Sequence, residues 1–462
     1  MKPLMIKEIV HATGGEYTGK NHEKQIKEVS TDSRTIIAES LFVPIIGPNF
    51  DGHDFIGNAI KKGAAAALCN KSKKEKLEGL LFDDIIFVEN TSTALLELAS
   101  YYRGLFCIPF VAVTGSVGKT TTKEMIAEIL MTRYNVLKSR GNFNNEIGLP
   151  LTIFCLEQKH EAGVVELGMS ALGEISRMAN VVKPHIAVIT NIGVTHIEHL
   201  GSKENIARAK LEILEPLKKD DIAILNGDCA ELWNARKNIV PKTVFFGEKR
   251  GDVLIDEIKN LGPNELEFTI SGKYGEAKFK LPLSGKHNAI NAVAAVAVGF
   301  EMGFTKEEIQ QGLSNLKLPG MRQEFKKSKF GSDIIDDAYN ANPDSMKAAL
   351  DLIKELAPYK MKAVILGDML ELGPLAKKAH FEVGTYAALC SDICVFIGSY
   401  ADALKEGAIA SGFNPARIYT FPTVQESVQE IEKLVKDCDI ILVKASRGMK
   451  FEQITQKLVG GL

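Results

Sequence analysis

The segment TGSVGKTT, residues 114–121, limits the possible folds of this chain more than any other feature. It follows the apolar run IPFVAV and precedes KEMIAEIL, which has the spacing of an amphipathic helix. Glycines let backbone N–H groups turn inward around an anion, and the N-terminus of a helix attracts negative charge. The segment therefore predicts a strand, a phosphate-binding turn and a helix.

The side chains of this loop have predicted roles in binding a nucleotide triphosphate. The residues expected to surround the phosphates are Gly115, Ser116, Val117, Gly118, Lys119, Thr120 and Thr121. Lys119 offers a charge to the terminal phosphates, and the Thr120 hydroxyl can complete a magnesium shell. Val113 stands where this motif usually has its first glycine, so Gly115 must make the turn. The alternative is a glycine turn that binds no nucleotide.

Strand-like and helix-like runs alternate after this loop, with strands expected at 162–168, 185–193 and 221–227. This alternation predicts a mostly parallel sheet covered on both faces, and the short strands of 250–282 predict an antiparallel extension. A second α/β series begins near 333. Because a chain of 462 residues is too long to fold around one hydrophobic core, we predict three α/β domains. They are a small N-terminal domain (1–105), a central P-loop-type ATPase domain (106–317) and a C-terminal Rossmann-like domain (318–462).

The composition argues against several classes of protein. The 56 basic and 58 acidic residues give a net charge of −2, which supplies no general attraction for nucleic acid or an anionic membrane. No apolar run approaches the roughly 18 residues that cross a bilayer, and the N-terminus lacks a signal-peptide pattern. Seven scattered cysteines argue against a disulfide framework, and Cys390 and Cys394 are expected as buried thiols on one helical face. We expect a soluble, cytoplasmic monomer.

Two further groups of polar residues are candidates for a site. Glu166 and His196 follow strands of the predicted parallel sheet, so both could reach magnesium beside the phosphate loop, although each could equally be a surface residue. The spacing around Lys210 predicts a snorkelling or solvated lysine. The residues His287, Asn288 and Asn291 begin an Ala-rich helix, where they could bind adenine or simply cap the helix.

Ten motifs, taken in order, resemble the Mur ligase family of ATP-dependent amide-forming enzymes of cell-wall precursor synthesis. They are TDSR, LFVPIIGPNFDGHDF, GSVGKTTTKE, GNFNNEIGLP, VELGMSALGEI, TNIGVTHIEHLGS, ARAKLEI, DDAYNANPDSM, LGDMLELG and KASRG. Several of them resemble the member that adds D-alanyl-D-alanine, and the Asn-Pro-Arg motif of the diamino-acid-adding relative does not occur. Ala445 and the following MKFE depart from the family pattern.

The resemblance implies that ATP activates the terminal carboxylate of a UDP-N-acetylmuramoyl-tripeptide as an acyl phosphate, which the amine of D-alanyl-D-alanine then attacks. The third residue of the tripeptide, lysine or diaminopimelate, stays open. Two Mg²⁺ ions are implied, and Lys210 would be carbamylated and share the second ion with Glu166 and His196. Arg322 and Asp337 match positions that contact the phosphate and the ribose of the nucleotide.

The resemblance also implies substrate contacts outside the nucleotide site. Ser33, Arg34, Asp51 and His53 are candidates for the UDP moiety, and Asn144 and Asn145 for the muramoyl peptide. Asp51 could equally form an ordinary turn and Arg34 a surface ion pair. We expect the domains to close on the substrates about hinges near 105 and 318. Two alternatives remain: a folate polyglutamate type of ligase, and a regulatory protein that hydrolyses ATP without ligation.

Overall fold

The computed structural model describes residues 1–77, 79, 82–358 and 360–461. Its helices pack on three large, mostly parallel sheets, which confirms the predicted α/β class. The strands of each large sheet come from one of the three predicted domain ranges. The boundaries near 105 and 318 themselves remain predictions.

The N-terminal part holds a five-stranded sheet and a small two-stranded ladder. Its elements are β1 (Leu4–Met5), α1 (Ile6–Thr13), β2 (Glu16–Tyr17), β3 (Gln25–Ile26), β4 (Glu28–Ser30), β5 (Ser40–Phe42), α2 (Ile56–Lys61), β6 (Ala64–Asn70), β7 (Ile85–Val88) and α3 (Thr91–Gly104). The five-stranded sheet has the order β2-β7-β6-β5-β4, with β4 to β7 parallel and β2 antiparallel to β7. β1 pairs with β3.

The central part is built on a nine-stranded sheet. Its elements are β8 (Phe110–Thr114), α4 (Lys119–Leu130), β9 (Val136–Lys138), α5 (Gly148–Ile153), β10 (Ala162–Glu166), α6 (Glu174–Val182), β11 (Ile186–Ile189), α7 (Ile197–Leu200), α8 (Lys203–Leu211), β12 (Ile222–Asn226), α9 (Ala230–Ala235), β13 (Lys242–Gly247), β14 (Val253–Gly262), β15 (Glu265–Gly272), β16 (Ala277–Leu281), α10 (Lys286–Glu301) and α11 (Lys306–Ser314). The order is β16-β15-β14-β13-β12-β11-β8-β10-β9.

The strand order places the phosphate loop at a switch point of this sheet. β8 lies between β10 and β11, so the chain leaves β8 toward one edge of the sheet and later returns to build the other. Ligands of open α/β sheets bind in the crevice at the carboxyl ends of such strands. β14 to β16 pair antiparallel at the far edge, as the sequence predicted for 250–282.

The C-terminal part is a six-stranded α/β unit. Its elements are β17 (Glu324–Lys327), β18 (Asp333–Asp336), α12 (Pro343–Leu356), β19 (Lys362–Gly367), α13 (Ala376–Ala388), β20 (Ile393–Ile397), α14 (Ala401–Ala410), β21 (Ile418–Phe421), α15 (Val424–Val435), β22 (Ile440–Lys444) and α16 (Glu452–Val459). The order is β17-β18-β22-β19-β20-β21, and only the pairing of β17 with β18 is antiparallel.

The helix α3 joins the N-terminal part to the core of the central part. The Tyr102 hydroxyl donates to the carbonyl of Leu156 at 2.7 Å, and the Arg103 guanidinium donates to the carbonyl of Val182 at 3.0 Å. Buried side chains of α3 belong to the same apolar cluster as those of α5 and α6. α3 is therefore expected to move with the central sheet during any rearrangement of the domains.

Two remaining sequence expectations concern the cysteines and membrane helices. Cys390 and Cys394 are buried, as expected, but Cys394 lies in β20 whereas Cys390 follows α13. The prediction of one helical face is therefore wrong, because the chain turns into a strand between them. Within the part of the chain that the structure describes, no helix has the length and apolar character needed to cross a membrane.

Candidate active site

A cavity of about 700 Å³ lies between the central and C-terminal parts of the molecule. Loops after β8, β10 and β11 and the start of α10 form one wall. Segments around 318–323 and 337–345, with Glu371, form the other. The predicted site residues that line it are Ser116, Val117, Gly118, Lys119, Thr120, Thr121, Asn144, Asn145, Glu166, His196, His287, Asn288, Asn291, Arg322 and Asp337. The fold therefore brings most of the predicted nucleotide and metal residues to one place.

The phosphate loop depends on two glycines and one asparagine. Gly115 has φ 149° and Gly118 has φ 83°, and a Cβ on Gly115 would lie 1.9 Å from Oγ1 of Thr190. Oδ1 of Asn191 accepts from the N–H groups of Ser116 at 3.1 Å and Val117 at 2.9 Å. Gly115 makes the turn as predicted, and Asn191 holds the loop from the neighbouring strand end.

Lys119 is folded back over its own loop. Its Nζ donates to the carbonyl of Gly115 at 2.9 Å. Burial lowers the pKa of Lys119, and the positive charge of Arg322 acts in the same direction, whereas the negative charge of Glu166 opposes both. The ammonium group is thus held close to Glu166 and Arg322 in a partly desolvated place, which suits a lysine that meets an anionic ligand.

Glu166, at the end of β10, is 3% exposed and is held by neutral donors. The Thr120 hydroxyl donates to its Oε2 at 2.8 Å, and Nδ2 of Asn144 donates to its Oε1 at 2.8 Å. Its own N–H donates to Oγ of Ser139 at 3.0 Å. A buried carboxylate beside a threonine hydroxyl, with no basic side chain paired to it among the described residues, suits a magnesium ion.

The described residues contain no group of three or more His, Cys, Asp or Glu side chains arranged to hold a metal ion. Magnesium usually keeps several waters and takes one or two carboxylates together with the phosphates of its substrate. Thr120 and Glu166 fit that pattern. His196 lines the same cavity, and its ring faces Glu371 of the C-terminal part, which the sequence did not single out.

Lys210 lies in α8 and is 2% exposed, in contrast to the solvated lysine that its spacing predicted. It is not among the residues that line the cavity. Within the described ranges, its ammonium group forms neither a hydrogen bond nor an ion pair. Burial, followed by the positive charge of Lys119, lowers the pKa of Lys210 well below its usual range. The structure therefore places an almost wholly buried lysine within electrostatic reach of Lys119 in the phosphate loop.

The three candidate residues at the start of α10 contact two different parts of the structure, the phosphate loop and Gln323. A Cβ on Gly118 would lie 2.4 Å from Oδ1 of Asn291, so the amide of Asn291 packs directly on the phosphate loop. His287 and Asn288 are hydrogen-bonded to Gln323, which follows Arg322 in the C-terminal part. Burial lowers the pKa of His287 to about 4, so its ring is neutral at neutral pH.

Arg322 and Asp337 bring opposite charges into the cavity from the C-terminal part. The Arg322 guanidinium lies 3.9 Å from the ring centroid of Tyr339, and its Nε is buried without a hydrogen-bond partner in the described structure. Asp337 forms an ion pair with Lys444, which is 2% exposed. An unpartnered guanidinium N–H and a carboxylate at one wall are suitable for a phosphate and a ribose hydroxyl, respectively.

Asn144 and Asn145 have different partners. Asn144 bonds Glu166, whereas Oδ1 of Asn145 accepts from the N–H groups of Ile147 at 3.2 Å and Gly148 at 2.8 Å. Asn145 therefore helps to begin α5 while it lines the cavity. A role of either residue in binding the muramoyl peptide stays a prediction.

The candidates in the N-terminal part lie outside this cavity. His53 is buried, its Nδ1 lies 2.7 Å from Oδ1 of Asp51, and its Nε2 accepts from the N–H of Asn70 at 3.1 Å. Arg34 is 84% exposed and is paired with Asp32, and Ser33 is buried. His53 thus has a structural role in the loop that carries Asp51, and direct contacts with a substrate stay a prediction for all four candidates.

The residues that the sequence did not single out include Asn191, Gln323, Glu371 and Lys444. Asn191 belongs to TNIG and Glu371 to LGDMLELG, so the motifs that resemble a family already contained them. Nothing in their local spacing distinguishes them from other polar residues. Their roles depend on which loops and domains meet in space.

Three family matches together cover most of the chain. Residues 25–103 match a family described as Mur ligase family, catalytic domain; residues 113–299 match Mur ligase middle domain; and residues 321–447 match Mur ligase, glutamate ligase domain.

Among curated proteins, the chain is 41% identical over 456 residues to UDP-N-acetylmuramoyl-tripeptide--D-alanyl-D-alanine ligase of Bacillus subtilis (strain 168), covering 98% of each chain. Among solved structures, it is similar to MurF from Acinetobacter baumannii, with TM-score 0.89, 32% identity and coverage of 100% of this chain and 99% of that one. It is also similar to the MurF ligase from Thermotoga maritima in complex with ADP, with TM-score 0.82, 28% identity and coverage of 94% and 97%.

Proposed function

The chain belongs to the Mur ligase family, and from that membership we propose that it joins D-alanyl-D-alanine to a UDP-N-acetylmuramoyl-tripeptide at the expense of ATP. The product would be the UDP-N-acetylmuramoyl-pentapeptide used in peptidoglycan synthesis, released together with ADP and phosphate. One observation carries this proposal: the phosphate loop, Glu166 and Arg322 line the same cavity between two domains.

The reaction needs ATP because a carboxylate is a poor electrophile and its oxygen is a poor leaving group. The terminal carboxylate of the tripeptide attacks the γ-phosphate, and ADP leaves. Lys119 and the unpartnered N–H of Arg322 offset the charge that develops on the transferred phosphoryl group. The amine of D-alanyl-D-alanine then attacks the acyl carbon, and the tetrahedral intermediate expels phosphate.

The proposed nucleotide contacts follow from the cavity walls. The phosphate loop would bind the phosphates, Asp337 the ribose, and His287, Asn288 and Asn291 the adenine side of the site. The ADP complex of the Thermotoga maritima relative supports a nucleotide in this fold.

We further propose that the site binds two Mg²⁺ ions. Thr120 and Glu166 would hold the first ion. Glu166, His196 and a carbamate on Lys210 would hold the second. Bound magnesium would neutralise the negative charge of the transferring phosphoryl group. The contacts of Glu166 with Thr120 and Asn144 support its part in this site, because they hold both carboxylate oxygens in place. Loss of one proton from the Lys210 ammonium group, followed by addition of carbon dioxide to the neutral amine with loss of a second proton, would convert a cation into an anionic oxygen ligand.

We also propose that the enzyme acts as a monomer in the cytoplasm. The N-terminal part would hold the UDP moiety through Ser33, Arg34, Asp51 and His53. Closure of the C-terminal part on the central part would exclude water, which otherwise hydrolyses an acyl phosphate.

A phosphate-release assay tests the proposed function. We expect release from ATP only when both the UDP-tripeptide and D-alanyl-D-alanine are present. Release with neither substrate would instead indicate a nucleotide-hydrolysing regulator. Release with a folate substrate and glutamate, and not with the UDP-tripeptide, would indicate a folate polyglutamate type of ligase. Parallel assays with lysine-containing and diaminopimelate-containing acceptors would identify the third residue of the tripeptide.

A further inference from the structure

Gln323 lies where the chain enters the C-terminal part and passes the start of α10. It is 7% exposed, and its φ of 51° is a left-handed conformation that few residues other than glycine adopt. Its side-chain amide contacts both His287 and Asn288, two of the three residues proposed for the adenine side of the nucleotide site. Because Gln323 is buried and bonded to both side chains, it fixes the orientation of His287 and of Asn288.

One backbone carbonyl determines the direction of every hydrogen bond in this group. Nδ2 of Asn288 lies 2.8 Å from the carbonyl oxygen of Ser284, and because a carbonyl can only accept, the atom there must be the amide nitrogen. The same nitrogen lies 2.6 Å from Gln323, so the Gln323 atom must be its oxygen, Oε1. Nε2 of Gln323 is then the atom 2.7 Å from Nε2 of His287.

An amide nitrogen can only donate, so Nε2 of His287 must accept, and the proton of the neutral ring is on Nδ1. Asn288 has used both of its N–H groups and is left with Oδ1, an acceptor. Both residues line the cavity, and neither Oδ1 of Asn288, an acceptor, nor Nδ1 of His287, an N–H donor, has a hydrogen-bond partner in the described structure. Adenine presents an amino donor where guanine presents a carbonyl acceptor.

We propose that Gln323 is a positioning residue that sets the base specificity of the nucleotide site. By holding Asn288 as an acceptor, it favours the amino group of adenine over the carbonyl group of guanine, and by holding His287 as an N–H donor it provides a partner for a ring nitrogen of the base. The inference rests on the proposed ATP-dependent function, since it concerns the base of that nucleotide. The N–H of Gln323 also lies 3.3 Å from Oδ1 of Asp337, so the residue links the base site to the proposed ribose contact.

Binding of ATP and GTP to the full-length protein, measured by titration calorimetry, tests this role. In Gln323→Met the amide of Asn288 loses one of two restraints and can turn its N–H groups toward the base. We expect the ratio of the GTP to the ATP dissociation constant to fall about tenfold, the effect of roughly one hydrogen bond. Gln323→Glu keeps the acceptor that faces Asn288, so most of the preference for ATP should be retained.

The tautomer of His287 provides a second readout that does not depend on nucleotide. A two-bond ¹H–¹⁵N spectrum, with the His287 signals assigned by their loss in His287→Phe, should show the proton on Nδ1 in the wild type. In Gln323→Glu the carboxylate can only accept, so the proton should move to Nε2. This exchange would show that Gln323 determines which nitrogen of His287 carries the proton.

Gln310→Met is the matched control. Gln310 is half-buried in α11, outside the cavity, and its side-chain amide bonds the backbone of Lys280 through both ends. We expect Gln310→Met to leave the ratio of the GTP to the ATP dissociation constant unchanged. An unchanged ratio in Gln323→Met, or a wild-type His287 with its proton on Nε2, would overturn the proposed role of Gln323. Failure of the wild type to bind either nucleotide would contradict the proposed function, and the histidine spectrum would still show whether Gln323 sets the tautomer of His287.

Discussion

Nδ1 of His196, at the carboxyl edge of the central sheet, lies 2.7 Å from Oε2 of Glu371 in the C-terminal part. The atoms are close but not aligned for a hydrogen bond, and Nδ1 has no other partner in the described structure. The backbone of both residues is in the left-handed conformation, with φ 65° at His196 and 63° at Glu371. This conformation costs roughly 1 kcal/mol or more for a residue with a Cβ. The contact thus joins two strained loops and exists only while the two domains are together.

Glu371→Gln should weaken closure of the domains while leaving each domain folded. The Glu371 side chain is 52% exposed, so the lost charge is partly screened, and we expect kcat/KM to fall by about fivefold at most. Small-angle scattering with nucleotide and both substrates should show compaction of the wild type and less compaction of the variant. Glu382→Gln, which removes a surface charge opposite Lys378, is the control and should change neither. Absence of compaction in the wild type would reject the closure hypothesis.

Local sequence was enough to predict the parts of the site that sit on one sheet. The apolar run before Gly115 and the helical run after Lys119 specify a strand, a turn and a helix without help from distant residues. Glu166 and His196 could be placed at the same edge because the carboxyl ends of parallel strands lie together. These two predictions needed only the spacing of apolar residues in each segment and the direction of the strands.

The contacts between domains could not be predicted in this way. Gln323 and Glu371 gain their roles from the packing of the C-terminal part against the central part. The local spacing of apolar residues does not predict that packing. Lys210 shows the same limit, since its spacing predicts a solvated side chain, whereas neighbouring elements bury it. For His53, the motif DGHDF could not distinguish a ligand contact from a side chain that supports its own loop.

Gly115→Ala should prevent ATP binding without unfolding the protein. The added Cβ would lie 1.9 Å from Oγ1 of Thr190, and a φ of 149° is unfavourable for alanine, so the loop must shift. We expect the ATP dissociation constant to rise at least about a hundredfold, measured by titration calorimetry. Gly104→Ala is the matched control, because a Cβ there meets no heavy atom within 4 Å. Near-normal affinity of Gly115→Ala would mean that the turn tolerates another geometry.

His53 and Arg34 should respond differently to replacement by alanine. His53→Ala removes the partner of the buried Asn70 N–H and leaves a cavity, so we expect a loss of about 2–4 kcal/mol in the free energy of unfolding of the N-terminal part. Arg34→Ala changes an exposed side chain, so its thermal midpoint should stay within about 1 °C of the wild type, while KM for the UDP-tripeptide rises if Arg34 contacts the UDP moiety. Thermal melts and substrate titrations together distinguish the two. A stable His53→Ala with only a raised KM would contradict the structural role.

Lys210→Ala should abolish the ligase activity and then regain part of it with short carboxylates. Burial lowers the pKa of Lys210 well below its usual range, so the neutral amine that reacts with carbon dioxide is available at lower pH than for a solvated lysine. A protonated amine would instead repel a metal ion at this position.

Loss of the proposed carbamate should lower kcat by at least about a hundredfold in the phosphate-release assay. Formate or acetate can enter the space left by alanine and supply the missing oxygens, whereas Lys210→Met fills that space and should show no rescue. Because protonation of the amine opposes carbamate formation, wild-type activity at limiting bicarbonate should fall as pH decreases through the pKa of Lys210. The formate-rescued variant should lack that bicarbonate dependence. Full activity of Lys210→Ala without added carboxylate would reject the carbamate.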